Sequence, residues 1–294
     1  MDRPVVLLVN PSAGGGRALA SAPAVAAAFR EHGVAVRTVE TTSLDHACEL
    51  AAAACDAGEA VATLSGDGMI GAVAGAIRGR DDALLVALPG GRGNDFVRVL
   101  GLPRDPVAAV QALVGGVVRA LDLGDVEGRA FIGIASLGFD SHANRLANEA
   151  PKRLGQLAYV YGALRGLAQH RPGTFTLTFD DGEVLSRRAF SVAAANSKAY
   201  GGGMYLAPNA ELDDGLLDVV IIGDVSRLKF VRWLPKVFRG EHVGLPDVDV
   251  RQVRSVRVEA DPEFELYADG DPIGTTPVTI SCVPNAVPVL CPAP

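Results

Sequence analysis

The 294-residue chain carries 27 lysines and arginines against 34 aspartates and glutamates, a net charge of −7, with 49% apolar and 21% charged residues. That balance excludes a disordered chain, supplies apolar side chains for two domains, and argues against wholesale nucleic-acid binding, which needs a basic face. No uninterrupted apolar stretch reaches about 18 residues, so no membrane-spanning helix is expected, and Met1-Asp2-Arg3-Pro4 lacks the start of a signal peptide.

In chain order, residues 5–9 form an apolar run of the kind buried in parallel sheets. An alanine-rich helix over 19–31 stops at Gly33. A strand over 34–39 follows, then a helix capped by Ser43 and ending near Gly58. Residues 61–64 read as a strand, 69–77 as a helix, 84–88 as a strand, 105–114 as a helix and 117–121 as extended. This alternation predicts an α/β domain with a parallel sheet. The character changes after Asp122. A strand over 131–134 precedes a long helical stretch over 141–169, broken near Pro151. Alternation then appears at Phe175, Leu177 and Phe179, followed by strands over 189–195 and 217–222, around Val256 and Val258, and through Val278, Ile280 and Cys282. The second domain reads as mostly antiparallel β, with the boundary near 123–129. Cys48, Cys55, Cys282 and Cys291 form no Cys-x-x-Cys pair and the five histidines are scattered, so no zinc site is expected and a reduced, cytoplasmic setting fits.

Three glycine turns each follow an apolar strand: Asn10-Pro11-Ser12-Ala13-Gly14-Gly15-Gly16, Ser65-Gly66-Asp67-Gly68-Met69, and Gly90-Gly91-Arg92-Gly93-Asn94-Asp95. Glycine lets backbone N–H groups approach a phosphate closely, and a following helix adds positive potential. A Walker A loop is excluded because no lysine precedes Lys152. The dinucleotide fingerprint is excluded because Gly14-Gly15-Gly16 lacks its spacing. Asp67, a carboxylate between glycines, makes sense where Mg²⁺ or ordered water mediates contact with phosphates; a plain Asp-Gly surface turn is the competing reading.

In order and spacing, the three turns resemble the diacylglycerol kinase catalytic family, which includes bacterial lipid kinases and the sphingosine and ceramide kinases. The stretches 195–204 (Ala-Asn-Ser-Lys-Ala-Tyr-Gly-Gly-Gly-Met) and 207–217, and Tyr267-Ala268-Asp269-Gly270-Asp271, resemble its later motifs. The resemblance covers nearly the whole chain. It implies a phosphofructokinase/NAD-kinase-like α/β nucleotide-binding domain over residues 1–124, a mostly antiparallel β-sandwich lipid-substrate domain over 125–284, and a C-terminal strand at about 285–294 returning to the first domain.

The implied activity is ATP-dependent phosphorylation of the diacylglycerol hydroxyl to give phosphatidic acid. A kinase for another lipid alcohol, such as a sphingoid base, and a non-catalytic nucleotide- or lipid-binding protein of the same fold remain alternatives. The resemblance implies ATP contacts at Asn10, Pro11, Ser12, Ala13, Gly14, Thr41, Ser65, Gly66, Asp67, Gly68, Met69, Arg92, Asn94 and Asp95. Met69 and Arg92 replace the family's threonines; methionine removes a hydroxyl, and arginine offers a phosphate contact instead. The catalytic pair is Asp67 with Asp271. Asp271 stands where the family has a glutamate base, its side chain about 1.5 Å shorter, and Asp269 is the competing carboxylate. Glu211, Asp214 and the Leu216 carbonyl fall where the resemblance implies the family's structural Mg²⁺ ligands, with Glu211 in place of the family's aspartate; an acidic turn is the competing reading.

Residues 226–240 combine Phe230, Trp233, Leu234, Val237 and Phe238 with basic flanks, the pattern of an interfacial helix kinked at Pro235. An amphipathic helix packed on the sandwich is the competing reading. The implied setting is cytoplasmic and peripheral to the inner face of the membrane. The partner is a membrane lipid, no nucleic acid is expected, and a homodimer is among the expectations.

Overall fold

A computed structural model describes residues 3–80, 82–151, 154 and 157–293. The chain divides into two compact units, Met1–Leu123 with Asn285–Pro294, and Gly124–Pro284.

The first unit alternates β1 (Val5–Val9), α1 (Arg17–Glu31), β2 (Val36–Glu40), α2 (Leu44–Asp56), β3 (Ala60–Ser65), α3 (Asp67–Ile77), β4 (Leu85–Pro89), α4 (Asp95–Val99) and α5 (Pro106–Ala112). β5 (Val117–Val126) then leads into the second unit. The final strand, which returns to the first unit, runs parallel beside β4, giving the order final strand–β4–β3–β1–β2. Pairing among β1 to β4 is parallel throughout. Every residue of β1, β3 and β4 is buried, as a strand covered on both faces requires. α1 buries Ala18, Ala22, Val25, Ala26 and Phe29, one helical face whose small side chains let it lie close to its neighbours. Ser43 accepts from the His46 N–H at 3.0 Å and Asp105 from the Ala108 N–H at 2.8 Å, capping α2 and α5 as their sequences require. The strand order changes direction between β1 and β3, so the three glycine turns emerge at the carboxyl ends of adjacent strands around that switch point, where open α/β sheets bind ligands.

The second unit contains β6 (Arg129–Phe131), β7 (Ile134–Gly138), α6 (Phe139–Glu149), α7 (Leu157–Gln169), β8 (Gly173–Phe179), β9 (Val184–Ala195), β10 (Leu217–Gly223), α8 (Arg227–Arg239), β11 (Val248–Val253), β12 (Ser255–Asp261), β13 (Glu265–Ala268) and β14 (Asp271–Thr275). The last strand is β15 (Val278–Cys291). The long strand β9 belongs to three ladders: its first half pairs with β8, its second with β7 on one edge and β10 on the other. All three pairings are antiparallel. The alternation predicted for strands is literal in β10. Leu217, Val219 and Ile221 enter one core with Phe175, Leu177 and Val258, while Val220 and Ile222 enter a second core with Phe139, Phe190, Phe230 and Trp233.

The single strand expected over 131–134 is two strands. Between them the Ile132 and Gly133 N–H groups leave the ladder and donate to Asp269, both at 2.8 Å. The helical stretch expected over 141–169 is α6 and α7, separated around Pro151; of the residues between them, Lys152, Arg153, Gly155 and Gln156 lie outside the described set. α8 stays one helix through Pro235, capped by Ser226 and ended by Gly240 at φ 71°. β11, the short α4 and the β13–β14 hairpin have no counterpart in the sequence reading.

His170 sits 6% exposed in the second core, its ring 4.6 Å from that of Phe190 and 5.8 Å from that of Phe139. Burial disfavours its charged form and lowers its pKa from 6.5 to about 4, against the raising effect of a hydrogen bond to the Phe190 backbone. A histidine held neutral contributes stability that is whole above pH 6.5 and lost as the pH falls toward about 4. The loss amounts to about 3 kcal/mol at most. Urea titrations followed by Trp233, the chain's one tryptophan, should show the wild-type midpoint falling relative to that of His170→Phe across that window. Both proteins share the smaller losses from His142 and His242, whose pKa values burial also lowers, and the opposing gains from Asp67, Asp140, Asp218 and Asp271, whose raised carboxyl pKa values add stability as the pH falls, so the difference between them isolates His170. An unchanged slope in that variant would assign the pH dependence elsewhere.

Candidate active site

Each glycine turn is shaped by how closely the next one approaches. Gly14 has φ 60°, and a Cβ there would stand 2.6 Å from the Gly90 carbonyl oxygen. A Cβ on Gly91 would stand 2.5 Å from the Gly66 Cα. Backbone therefore packs on backbone from the first turn to the third and from the third to the second. Arg17, which the sequence reading passed over, ties the first turn to the third by donating from Nε to the Gly14 carbonyl at 3.0 Å and from Nη2 to the Gly91 carbonyl at 3.2 Å.

Within the first turn, Asn10 Oδ1 accepts from the Ser12 N–H at 3.1 Å and the Ser12 hydroxyl at 2.9 Å. Pro11, Ala13 and Gly14 are half-buried around it. In the second turn, Gly66 is the N-cap of α3 and no side chain caps that helix, so Asp67, Gly68 and Met69 form the uncapped first turn of an 11-residue helix. Such a terminus presents N–H groups and positive potential, the ordinary means of holding phosphate. The Ser65 hydroxyl is buried at the base of this turn without a hydrogen-bond partner. In the third turn, Asn94 adopts the left-handed conformation at φ 53°. Its Oδ1 accepts from the Gly91 N–H at 2.8 Å and its Nδ2 donates to the Gly91 carbonyl at 3.2 Å. Asn94 thereby closes its own turn, with Arg92 half-buried inside it.

The second and third turns are joined by charge. Asp67 accepts from the Asp95 N–H at 3.0 Å through Oδ2 and from the Phe96 N–H at 3.2 Å through Oδ1, capping the short α4 from across the fold. Asp95 is buried and paired to Arg98 at 2.8 Å. Burial first, and then the negative charge of Asp95, push the Asp67 carboxyl up to about 6 despite its two amide donors and Arg98. Met69 is 3% exposed and packs its sulfur 3.9 Å from the Thr41 hydroxyl, which donates to the Val9 carbonyl at 3.2 Å. Both side chains are turned into the core of the first unit.

In the second unit, Asp269 and Asp271 flank the β13–β14 hairpin and differ sharply. Asp269 and Gly270 both have positive φ, 52° and 94°, the two-residue turn that Asp-Gly favours. Both Asp269 oxygens are taken by the Ile132 and Gly133 amides, and a Cβ at Gly133 would lie 2.5 Å from Oδ1. Asn196 and Ser197 reach the same place: both backbone N–H groups donate to the Gly133 carbonyl, and Asn196 Nδ2 donates to the Ile132 carbonyl at 3.0 Å. The Asp271 carboxylate accepts no hydrogen bond among the described residues; the residue is exposed, and what desolvation it has raises its carboxyl pKa against the opposing charge of Arg129. Glu211 and Asp214 are exposed before β10, where Asp214 Oδ1 accepts from the Leu216 N–H at 3.0 Å. Asp218, one step into β10 and absent from the sequence reading, is 3% exposed. Its carboxyl pKa is raised by burial and then by the charges of Asp214 and Glu211, against a hydrogen bond from Gln252. Among the described residues no three His, Cys, Asp or Glu side chains gather into a metal cluster.

Residues 4–126 match the diacylglycerol kinase catalytic domain, and residues 133–291 match the YegS C-terminal NAD kinase beta sandwich-like domain. The chain is 35% identical to a diacylglycerol kinase of Mycobacterium tuberculosis, covering 98% of this chain and 95% of that one. The chain belongs to the diacylglycerol kinase catalytic family. It is also 31% identical to the diacylglycerol kinase of Bacillus subtilis, over 85% of this chain and 83% of that one, and 34% identical to a probable YegS-like lipid kinase of Pseudomonas aeruginosa, over 100% and 96%. A solved structure described as a putative diacylglycerol kinase from Bacillus anthracis has the same fold, with a TM-score of 0.79 at 23% identity over 98% of this chain and 97% of that one. The expected fold class and membership among the lipid kinases hold: the enzyme is a phosphotransferase of the diacylglycerol kinase type, and membership implies ATP as phosphate donor.

The Gly66–Gly91 approach gives a direct test of the turns. Gly91→Ala inserts a methyl group against backbone that has no rotamer to yield, at a cost of about 1–3 kcal/mol. Its melting temperature should fall, and ATP affinity measured by calorimetry should drop about tenfold or more as the two turns part. Unchanged affinity would mean that the third turn does not hold nucleotide.

Proposed function

We propose that this lipid kinase transfers the γ-phosphoryl group of ATP to the hydroxyl of diacylglycerol, giving phosphatidic acid at a membrane surface. The observation that carries the mechanism is the contrast between the two hairpin carboxylates. Asp269 spends both oxygens on backbone amides, whereas Asp271 accepts none and has its proton affinity raised. A general base needs a free lone pair open to the acceptor, which exposed Asp271 has and Asp269 lacks, so Asp271 takes the proton of the acceptor hydroxyl. The hydroxyl oxygen bonds to the γ-phosphorus as the bond to ADP breaks. The uncapped N-terminus of α3 and the amides of the glycine turns hold the phosphates and their growing charge. Asp67 keeps the second and third turns together while this happens.

The donor chemistry fits Mg²⁺ at two places. Asp67, crowded by Asp95, is a carboxylate that a divalent cation beside the phosphates would stabilise. By their chemistry Glu211, Asp214 and the Leu216 carbonyl would offer a divalent cation an oxygen-only set of donors. When bound, the metal supplies charge neutralisation at the transferring phosphoryl group and, in the second unit, cross-links a turn.

The test is phosphorylation from labelled ATP with a panel of lipid alcohols in mixed micelles. Diacylglycerol should be the preferred acceptor; activity on sphingosine without activity on diacylglycerol would replace the acceptor. Asp271→Asn should lower kcat by about 10²–10⁴-fold with ATP affinity unchanged. Full turnover in that variant would remove Asp271 as the base.

A further inference from the structure

α8 carries two apolar stripes, and the fold uses one. Phe230, Trp233 and Val237 are buried in the second core. Shifted by two residues, about 200° around the helix, lie Leu228, Val231, Pro235 and Phe238, spaced to share a single face about 15 Å long. Leu228 is 62% exposed, Val231 39% and Phe238 49%. Pro235 is exposed between them. A helix needs one apolar face to join a core, so the second stripe has another use.

The charges beside that stripe select its occupant. α8 contains five basic residues and no acidic one. Lys229 is paired to Asp247 at 2.5 Å and Arg227 donates to the His170 carbonyl at 3.2 Å. Arg232, Lys236 and Arg239 have no carboxylate partner among the described residues. Arg232 and Arg239 border the outer stripe on one side. A second copy of the chain docking through the same face would bring these cations against their own counterparts. A surface with anionic headgroups above hydrocarbon satisfies both features together: the stripe enters the acyl boundary and the arginines meet phosphates. The chain's net charge of −7 opposes approach to such a surface overall, so attraction has to be local.

We infer that the outer stripe of α8, Leu228, Val231, Pro235 and Phe238 with Arg232 and Arg239, is the surface by which the enzyme lies on an anionic lipid bilayer. The inference deepens the proposed action on a bilayer lipid and rests on it for its biological sense. Its test does not: vesicle binding is measured without ATP or diacylglycerol. Sedimentation with vesicles of phosphatidylcholine alone, and of phosphatidylcholine with phosphatidylglycerol, should show binding only to the anionic vesicles, weakening with salt. Leu228→Gln, Val231→Gln and Phe238→Gln together should weaken it about tenfold or more, and so should Arg232→Glu with Arg239→Glu. All five positions are exposed, and the second variant leaves every apolar side chain in place, so a folding defect in the first does not remove the test. Both variants should keep wild-type kcat on a short-chain diacylglycerol dispersed in micelles. Wild-type binding by both variants overturns the inference. So does a wild-type dimer in solution that the triple variant converts to monomer, since the face then serves self-association. Absence of kinase activity with anionic binding intact would count against the proposed reaction and not against this surface.

Discussion

The contact on which the first unit's chemistry depends is between main chains that carry no side chain at all. At the ends of β1, β3 and β4, Gly14 meets Gly90 and Gly91 meets Gly66 at separations that a single methyl group would violate. Parallel strands stand about 4.8 Å apart, so turns leaving adjacent strands collide unless their residues are small. Glycine removes the collision and leaves the amides of three turns and one helix terminus in one small region. Arg17 and Asn94 then act as fasteners, each bonding to the carbonyl or amide of a glycine in the third turn. The site is therefore built from backbone, and its polar side chains mostly hold that backbone in place.

Asp67 shows how the same economy extends to charge. Its two oxygens serve the amides of Asp95 and Phe96, so α4, only five residues long, owes its start to a residue of another turn. The arrangement puts Asp67 near Asp95, and Arg98 offsets part of the two negative charges. Burial and the Asp95 charge disfavour the ionised carboxylate, its pKa raised to about 6. On the proposed reading, a cation brought with the nucleotide relieves that state, so part of the binding energy comes from repulsion already present in the protein.

Much of this was legible in the sequence where the signal is local. The buried strands are unbroken apolar runs, the helices have spaced alanines and Ser43 or Asp105 caps, and the glycine turns follow strands in a fixed order. What was not legible depends on residues distant in the chain. Nothing near Asp95 announces α4, because its cap is Asp67. Nothing near Phe131 announces the break between β6 and β7, because the amides that leave the ladder go to Asp269, more than 130 residues later. Met69 read as a hydroxyl lost from a phosphate loop. In the folded chain its side chain lies inside the core against Thr41, and the backbone of the turn is what faces outward. Asp218 carried no signal because a lone aspartate in an apolar strand acquires meaning only when Glu211 and Asp214 fold beside it.

The hairpin of β13 and β14 brings these threads together. Its two-residue turn is the one that Asp-Gly encodes locally, yet the turn is also clamped from outside, through Asp269, to the Ile132–Gly133 backbone that Asn196 and Ser197 hold from the other side. Asp271 is the first residue beyond that clamp. A glutamate there has reach and one further rotatable bond; an aspartate has less of both, so its carboxylate sits where the backbone puts it. On a loose hairpin the shorter side chain would be a liability, because a base misplaced by about 1 Å loses much of its effect. On a hairpin fixed by two carboxylate–amide bonds, the lost reach is exchanged for lower conformational freedom. On the proposed reading of Asp271 as the base, its short side chain and the rigidity of the Asp269 clamp are two halves of one arrangement, in which the backbone performs the positioning that a longer side chain would otherwise have to find.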